Sequence, residues 1–166
     1  MGEVRHVTHC IPPTFDEHSR VLVLGSMPSP KSRETGYNYG HPQNRFWRVM
    51  AGVLGCEAPK DIPEKRDMLL QNGIALWDSI ARCEIEGSSD ASIGQVIPND
   101  LSPIFSAADI RQVFCNGKKS WEKYHQYIEP VCGRAAVCLP STSPANAAWS
   151  LEKLTLAWET ALRPYL

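Results

Sequence analysis

Four apolar runs of strand length constrain this chain more than any other feature: "RVLVLGS" (20–26), "GIALWDS" (73–79), "RQVFCNG" (111–117) and "RAAVCLPS" (134–141). Each is apolar almost throughout and closes on Gly, Ser, Asp or Asn. A strand with one wet face alternates polar and apolar residues. A run without that alternation suits a strand covered on both faces, which is the habit of a parallel sheet.

Helical patterns separate the runs. "RFWRVMAGVLG" sets Phe46, Val49, Met50, Val53 and Leu54 on one face, with Asn44 placed to cap it and Gly55 to stop it. "PEKRDMLLQNG" (63–73) and "KKSWEKYHQYIE" (118–129) read as further helices, and 100–107 as a short turn. A last helix over about 144–163 spaces Ala147, Leu151, Leu154, Trp158 and Ala161 helically, with Trp158 in the core. Strand–helix alternation within 166 residues predicts a single α/β domain over 1–166, built as a three-layer sandwich. Ligands of such sheets bind beyond the carboxyl ends of the strands. Those ends are "GSMPSP", "LWDS", "CNGK" and "LPSTSPAN", and the loop "GYNYGHPQNRFW" (36–47) follows the first of them.

Charge narrows the function classes. A net charge of −1 and a pI of about 6.5 supply no global positive field, so a polyanion must be held locally, by helix N-termini and a few Lys or Arg. The apolar runs fall short of a membrane span, and "MGEVRHVTHCIPP" lacks a signal-peptide core. A cytoplasmic location and a monomer are expected. The six cysteines contain no C-x-x-C pair and read as reduced thiols buried as small hydrophobes.

The strand ends carry the polar chemistry. Gly25 and Ser26 let backbone approach a ligand, Tyr37 and Tyr39 can stack on a flat ring, and Asn38 can orient a water. Asn116 can present a donor and an acceptor to a base edge, or simply turn the chain with Gly117. Lys118 and Lys119 open the next helix, where an anion would offset them. Ser141, Thr142, Ser143 and Asn146 surround Pro144 at an expected helix start, where free N–H groups and hydroxyls suit a phosphate, although Ser143 as an ordinary cap explains the pattern as well. His41 braces the loop before Pro42, and "CEIEGSSDASI" with Glu84, Glu86 and Asp90 reads as a solvated loop. No P-loop, dinucleotide fingerprint, nucleophile elbow or metal signature occurs.

Together "GSMPS", "GYNYGHPQNRFW", "IALWD", "FCNGKKSW" and "PSTSPAN" resemble the uracil-DNA glycosylase superfamily, and within it the hypoxanthine-DNA (deoxyinosine) glycosylase group. The resemblance spans about 20–163. It implies an α/β/α sandwich on a central four-stranded parallel sheet, and a monofunctional glycosylase without metal or cofactor that removes deaminated bases, chiefly hypoxanthine, from DNA. It implies Asn38 as the essential amide, Tyr39 as the ring under the flipped base and Asn116 as the base-reading amide, with Gly25 and Ser26 beside them. Ser141, Ser143, Pro144, Asn146 and Lys118 fall on the DNA-binding side. The usual water-activating position is Met27, and the usual motif histidine is Ser141, which points away from strong uracil excision. No wedge residue carries over onto Ala145 or Asn146. Whether Asn38 holds water or assists the leaving base stays open. Alternatives are a uracil-preferring enzyme, a non-catalytic sensor of damaged DNA and a hydrolase of free nucleosides.

Overall fold

The computed structural model describes residues 4–8, 11–26, 37–86 and 96–166; Met27, Gly36 and Asp90 lie outside them. In chain order the elements are β1 (Val4–Thr8), β2 (Val21–Gly25), α1 (Phe46–Leu54), α2 (Ile62–Gln71), β3 (Ile74–Asp78), β4 (Ile80–Glu86), β5 (Val96–Pro98), α3 (Ser102–Ala107), β6 (Gln112–Asn116), α4 (Lys118–Lys123), a π-helical segment (Tyr124–Ile128), α5 (Glu129–Cys132), β7 (Ala136–Leu139) and α6 (Leu151–Leu162), closed by a 3-10 turn (Arg163–Tyr165).

The four apolar runs become one parallel sheet in the order β3-β2-β6-β7. Its central strand β2 is buried at every residue, as its unbroken apolar run requires. Val21, Val23, Ile74, Leu76 and Phe114 face α1, α2 and α6, where Phe46, Met50, Leu69, Leu154 and Trp158 complete one core. Leu22, Leu24, Ala75, Val113 and Cys115 face the other way, onto Ile104, Tyr124 and Ile128. The result is the expected α/β/α layering, and burying each large apolar side chain adds about 1.5–3 kcal/mol. From β2 the chain goes to β3 on one side and later to β6 on the other. The strand order therefore reverses between β2 and β6, at Gly25, Ser26 and Asn116, which is where such sheets bind ligands.

Three local expectations are corrected. Cys83–Glu86 of the expected solvated loop belong to β4, which pairs with β1 and β5 in a second, antiparallel sheet. The alternation in "IARCEIE" is a strand signal, too short to stand out until β1 supplies a partner. The last helix begins at Leu151, capped by Ser150, whose Oγ accepts the Lys153 N–H at 3.2 Å. Residues 144–150 are not helical. The helix of 118–129 widens into the π segment just before Pro130, where the Glu129 N–H reaches back to the Tyr124 carbonyl. Proline cannot donate to the preceding turn and crowds it. Of the described thiols, Cys115 is buried and Cys132 half-buried, but Cys56 and Cys138 are exposed, following the Gly55 stop and on the edge strand β7. No helix among the described residues is long and apolar enough to cross a membrane.

Candidate active site

The loop ahead of α1 divides its aromatic residues between core and site. Tyr37 is core: it is buried, stacks on Trp47 at 5.9 Å and shares a 2.6 Å hydrogen bond with Thr14. Trp47, the second residue of α1, donates its indole N–H to the Asn38 carbonyl at 3.2 Å and so pins the backbone of the loop. Asn44 is not the formal cap of α1, which is Arg45, but its Oδ1 accepts the Phe46 N–H at 3.0 Å and does part of the capping work. Gly55 ends the helix in the left-handed conformation, as expected. His41 is exposed and its Nδ1 accepts the Gln43 N–H at 3.1 Å, bracing the turn.

Asn38 is buried, at 2% exposure, although it belongs to a loop. Its Nδ2 donates to Asp78 Oδ2 at 2.8 Å, while its Oδ1 has no hydrogen-bond partner. Tyr39, next in the chain, takes φ +57, the left-handed region that a non-glycine residue enters at a cost of about 1–3 kcal/mol. Its ring stacks on Phe46 at 4.1 Å. Its buried hydroxyl lacks a well-formed hydrogen bond. Burial pushes the phenol's pKa far up, and the Asp78 carboxylate adds to the rise while the nearby Asn116 side chain opposes it. Tyr39 is therefore a neutral phenol.

Gly25 explains why these groups can meet. A Cβ there would lie 2.4 Å from Asp78 Oδ1 and 2.9 Å from the Tyr39 hydroxyl. The space above Gly25 is thus filled by the protein's own side chains, so the glycine serves their packing. Asp78 ends β3, is buried at 2% exposure and is further tied in through its carbonyl, which accepts from Asn99 Nδ2 at 2.8 Å. Sequence pattern alone gives it no role; the available signal is a carboxylate closing an apolar strand on the same rim as Asn38.

Asn116 and Thr142 are locked together. The Thr142 N–H donates to Asn116 Oδ1 and Asn116 Nδ2 donates to Thr142 Oγ1, both at 3.0 Å. The Thr142 hydroxyl then donates to Asn44 Oδ1 at 2.9 Å. Thr142 is a buried hub that joins β6, the "STSPAN" loop and the start of α1, not a phosphate ligand. Arg45 completes the tie: its guanidinium donates to the carbonyls of Ser143 at 3.0 Å, Asn146 at 3.1 Å and Trp149. A planar fork with five donors suits this clustering of carbonyls.

The expected phosphate cradle of free N–H groups is not present. The Ser143 N–H donates to Ser141 Oγ, the Ala145 N–H to Ser143 Oγ and the Asn146 N–H to the Ser143 carbonyl. Asn146 Nδ2 in turn donates to the Ser141 carbonyl at 3.0 Å. These bonds fold residues 141–149 as a turn ahead of the helix, which is why Ser143 caps a turn and α6 starts later. The same loop nevertheless walls a groove of about 670 Å³ that gathers Ser26, Asn116, Lys118, Lys119, Ser141, Ser143, Asn146 and Trp149. Pro144 is exposed but does not line it. Lys118 and Lys119 open α4 as expected, each 3.9 Å from Glu122. Gly25, next in sequence to Ser26, packs against Asp78 and Tyr39, and Asp78 holds Asn38; these four sit behind Ser26 and do not themselves line the groove. Among the described residues no group of three or more His, Cys, Asp or Glu could hold a metal ion.

This arrangement has relatives. Residues 12–162 match the Uracil DNA glycosylase superfamily. The chain is 34% identical to a hypoxanthine DNA glycosylase of Methanosarcina acetivorans and 32% identical to one of Methanosarcina barkeri, each alignment covering 92% of this chain and 96% of the relative. It also superposes with a TM-score of 0.77 on the solution NMR structure of a candidate uracil DNA glycosylase from Methanosarcina acetivorans, at 29% identity over 95% of this chain and 98% of that one. With the parallel sheet, the strand-end cleft and a match along nearly the whole length, the chain belongs to the uracil DNA glycosylase superfamily and is a DNA glycosylase.

Proposed function

We propose that this glycosylase excises deaminated bases from DNA, chiefly hypoxanthine, with Asn38 as its catalytic amide. The observation that carries the reading is Asn38 itself: a buried side chain at the ligand-binding end of the sheet, with an amide oxygen that no other group satisfies. Leaving a buried acceptor unpaired costs about 1–3 kcal/mol, which a molecule arriving in the cleft would recover. The two relatives' names support hypoxanthine, and Ser141 at the place of the usual motif histidine disfavours strong uracil excision.

The target base is stacked inside a duplex and must be flipped out before any group can reach its glycosidic bond. Flipping costs a few kcal/mol, least for a mispaired base such as hypoxanthine. Tyr39 recovers part of this, since base–aromatic stacking is worth about 1–3 kcal/mol. One face of its ring is taken by Phe46, so the base stacks on the other. Asn116 spends one N–H and one lone pair on Thr142 and turns its other N–H toward the Tyr39 hydroxyl, so its remaining lone pair is the group that reads the ring N–H of hypoxanthine. Lys118, Ser141, Ser143 and Asn146 line the groove along which the flanking strand runs. Bond cleavage then passes through a sugar cation like that of glycoside hydrolysis.

The test is purified protein on duplexes carrying inosine, uracil or xanthine. Abasic product forms fastest from inosine; absence of product from all three overturns the proposal. Preferential cutting of uracil would move the assignment to a uracil-preferring enzyme.

A further inference from the structure

We infer that Asp78 is a positioning residue: it locks the Asn38 amide so that Oδ1 faces the cleft as an acceptor for the attacking water, and Asn38 does not act as a donor to the departing purine. The inference rests on the glycosylase reading above and decides between the two roles that Asn38 could play within it.

An Asn amide can flip, and each orientation offers the cleft a different chemistry. Here the choice is made by a neighbour. A carboxylate oxygen only accepts, so the edge of Asn38 facing Asp78 Oδ2 must be Nδ2, and the 2.8 Å contact is that hydrogen bond. The opposite atom is then Oδ1, the buried atom without a partner. The backbone is held independently, by the Trp47 indole on the Asn38 carbonyl. Asp78 is fixed in turn by its place at the end of β3 and by Gly25, which leaves the room its Oδ1 occupies. The other nearby polar group, the buried Tyr39 hydroxyl, belongs to a phenol held neutral.

An acceptor aimed at C1′ suits water. In the hydrolysis the C1′–N9 bond breaks with both electrons leaving on the purine, and the water oxygen bonds to C1′. The water's proton passes to solvent, and the purine nitrogen takes a proton back. The amide takes no proton; it fixes one O–H of the water and so aims the lone pair. Asp78 never touches the reacting atoms.

The experiment compares single-turnover excision from inosine-containing duplex with affinity for that duplex. Asp78→Ala frees the amide to turn, and the rate falls by about 100-fold, the size of effect a misplaced catalytic group produces, while duplex affinity stays within about twofold. The second variant exchanges the pair, Asn38→Asp with Asp78→Asn. An amide at position 78 then donates to a carboxylate at position 38, whose second oxygen still faces the cleft as an acceptor. The exchanged pair recovers at least about tenfold over Asp78→Ala, within the range expected of a positioned catalytic group. A merely structural Asp78 would lower duplex affinity along with the rate, so the split between the two readouts separates the roles. Side-chain amide NMR reads the lock directly: one Asn38 Nδ2 proton is protected in the wild type and exposed in Asp78→Ala. Wild-type rates for a folded Asp78→Ala, or an exchanged pair no faster than Asn38→Ala, overturn the inference. A wild type inert on inosine, uracil and xanthine fails the glycosylase reading instead.

Discussion

Gly25 and Asp78 are a single packing unit, because a methyl group on the first would overlap the carboxylate of the second. Gly25→Ala is therefore expected to push Asp78 out of place and lower single-turnover excision by about 10- to 100-fold, the cost of disturbing a catalytic geometry. Circular dichroism alongside the rate checks that the fold survives. At the same scale, Arg45 ties three carbonyls of the groove loop to the start of α1. Arg45→Ala is expected to cost about 1.5–3 kcal/mol of stability, the range for hydrogen bonds to a charged group, measured as a shift of the urea midpoint. Neither role is legible from residue types. Asn38, Tyr39 and Asn116 stand out in the sequence because amides and rings on a loop call for a reason. Arg45, Thr142 and Asp78 look like ordinary helix, loop and strand-end residues until the partners that use them are brought close.

Among the elements, α6 shows where sequence pattern stops. Helical spacing from Ala147 to Ala161 continues past the true helix start, because the apolar residues of the preceding turn happen to share its period. The side-chain hydrogen bonds of Ser141, Ser143 and Asn146 give those residues a local alternative to helix, and Ser150 supplies the cap. Ser150→Ala is expected to cost about 1 kcal/mol, with Ser143→Ala costing less, by urea denaturation of both. The reverse order would place the helix start back at Ser143. The strands were easier to read. All four runs of the parallel sheet are strands within a residue or two of their apolar limits; burial on both faces explains this for β2, β3 and β6, whereas the edge strand β7 is apolar although Val137 and Cys138 are exposed. The antiparallel sheet is less visible because its strands depend on one another for pairing.

For the molecule as a whole, a chain of net charge −1 must bind DNA with few cations. Lys118→Ala is expected to weaken duplex binding for any sequence and to lower the slope of log affinity against log salt by about 1, measured by a salt titration of binding. Stability should also fall in alkali. Burial raises the Cys115 thiol from 9.0 to about 12 and holds Tyr39 and Tyr124 above their ordinary 10.0. For groups with raised folded-state values, the stabilisation is complete below the unfolded pKa and is lost as pH rises toward the folded one. Urea midpoints should therefore hold steady up to pH 9.0 and decline between there and about 12 as far as Cys115 governs them. By itself the sequence determined the layer order, the parallel sheet and the rim on which polar chemistry collects, because burial and local turn chemistry are written in residue type and spacing. Only the tertiary structure decided which polar groups remain unspent. Thr142 is spent on Asn116 and Asn44, and the N–H groups of Ser143, Ala145 and Asn146 are spent within their own loop, whereas Asn38, held by Asp78 from a distant strand, keeps an unpaired amide oxygen. That division depends on contacts between residues far apart in the chain, which local sequence does not encode.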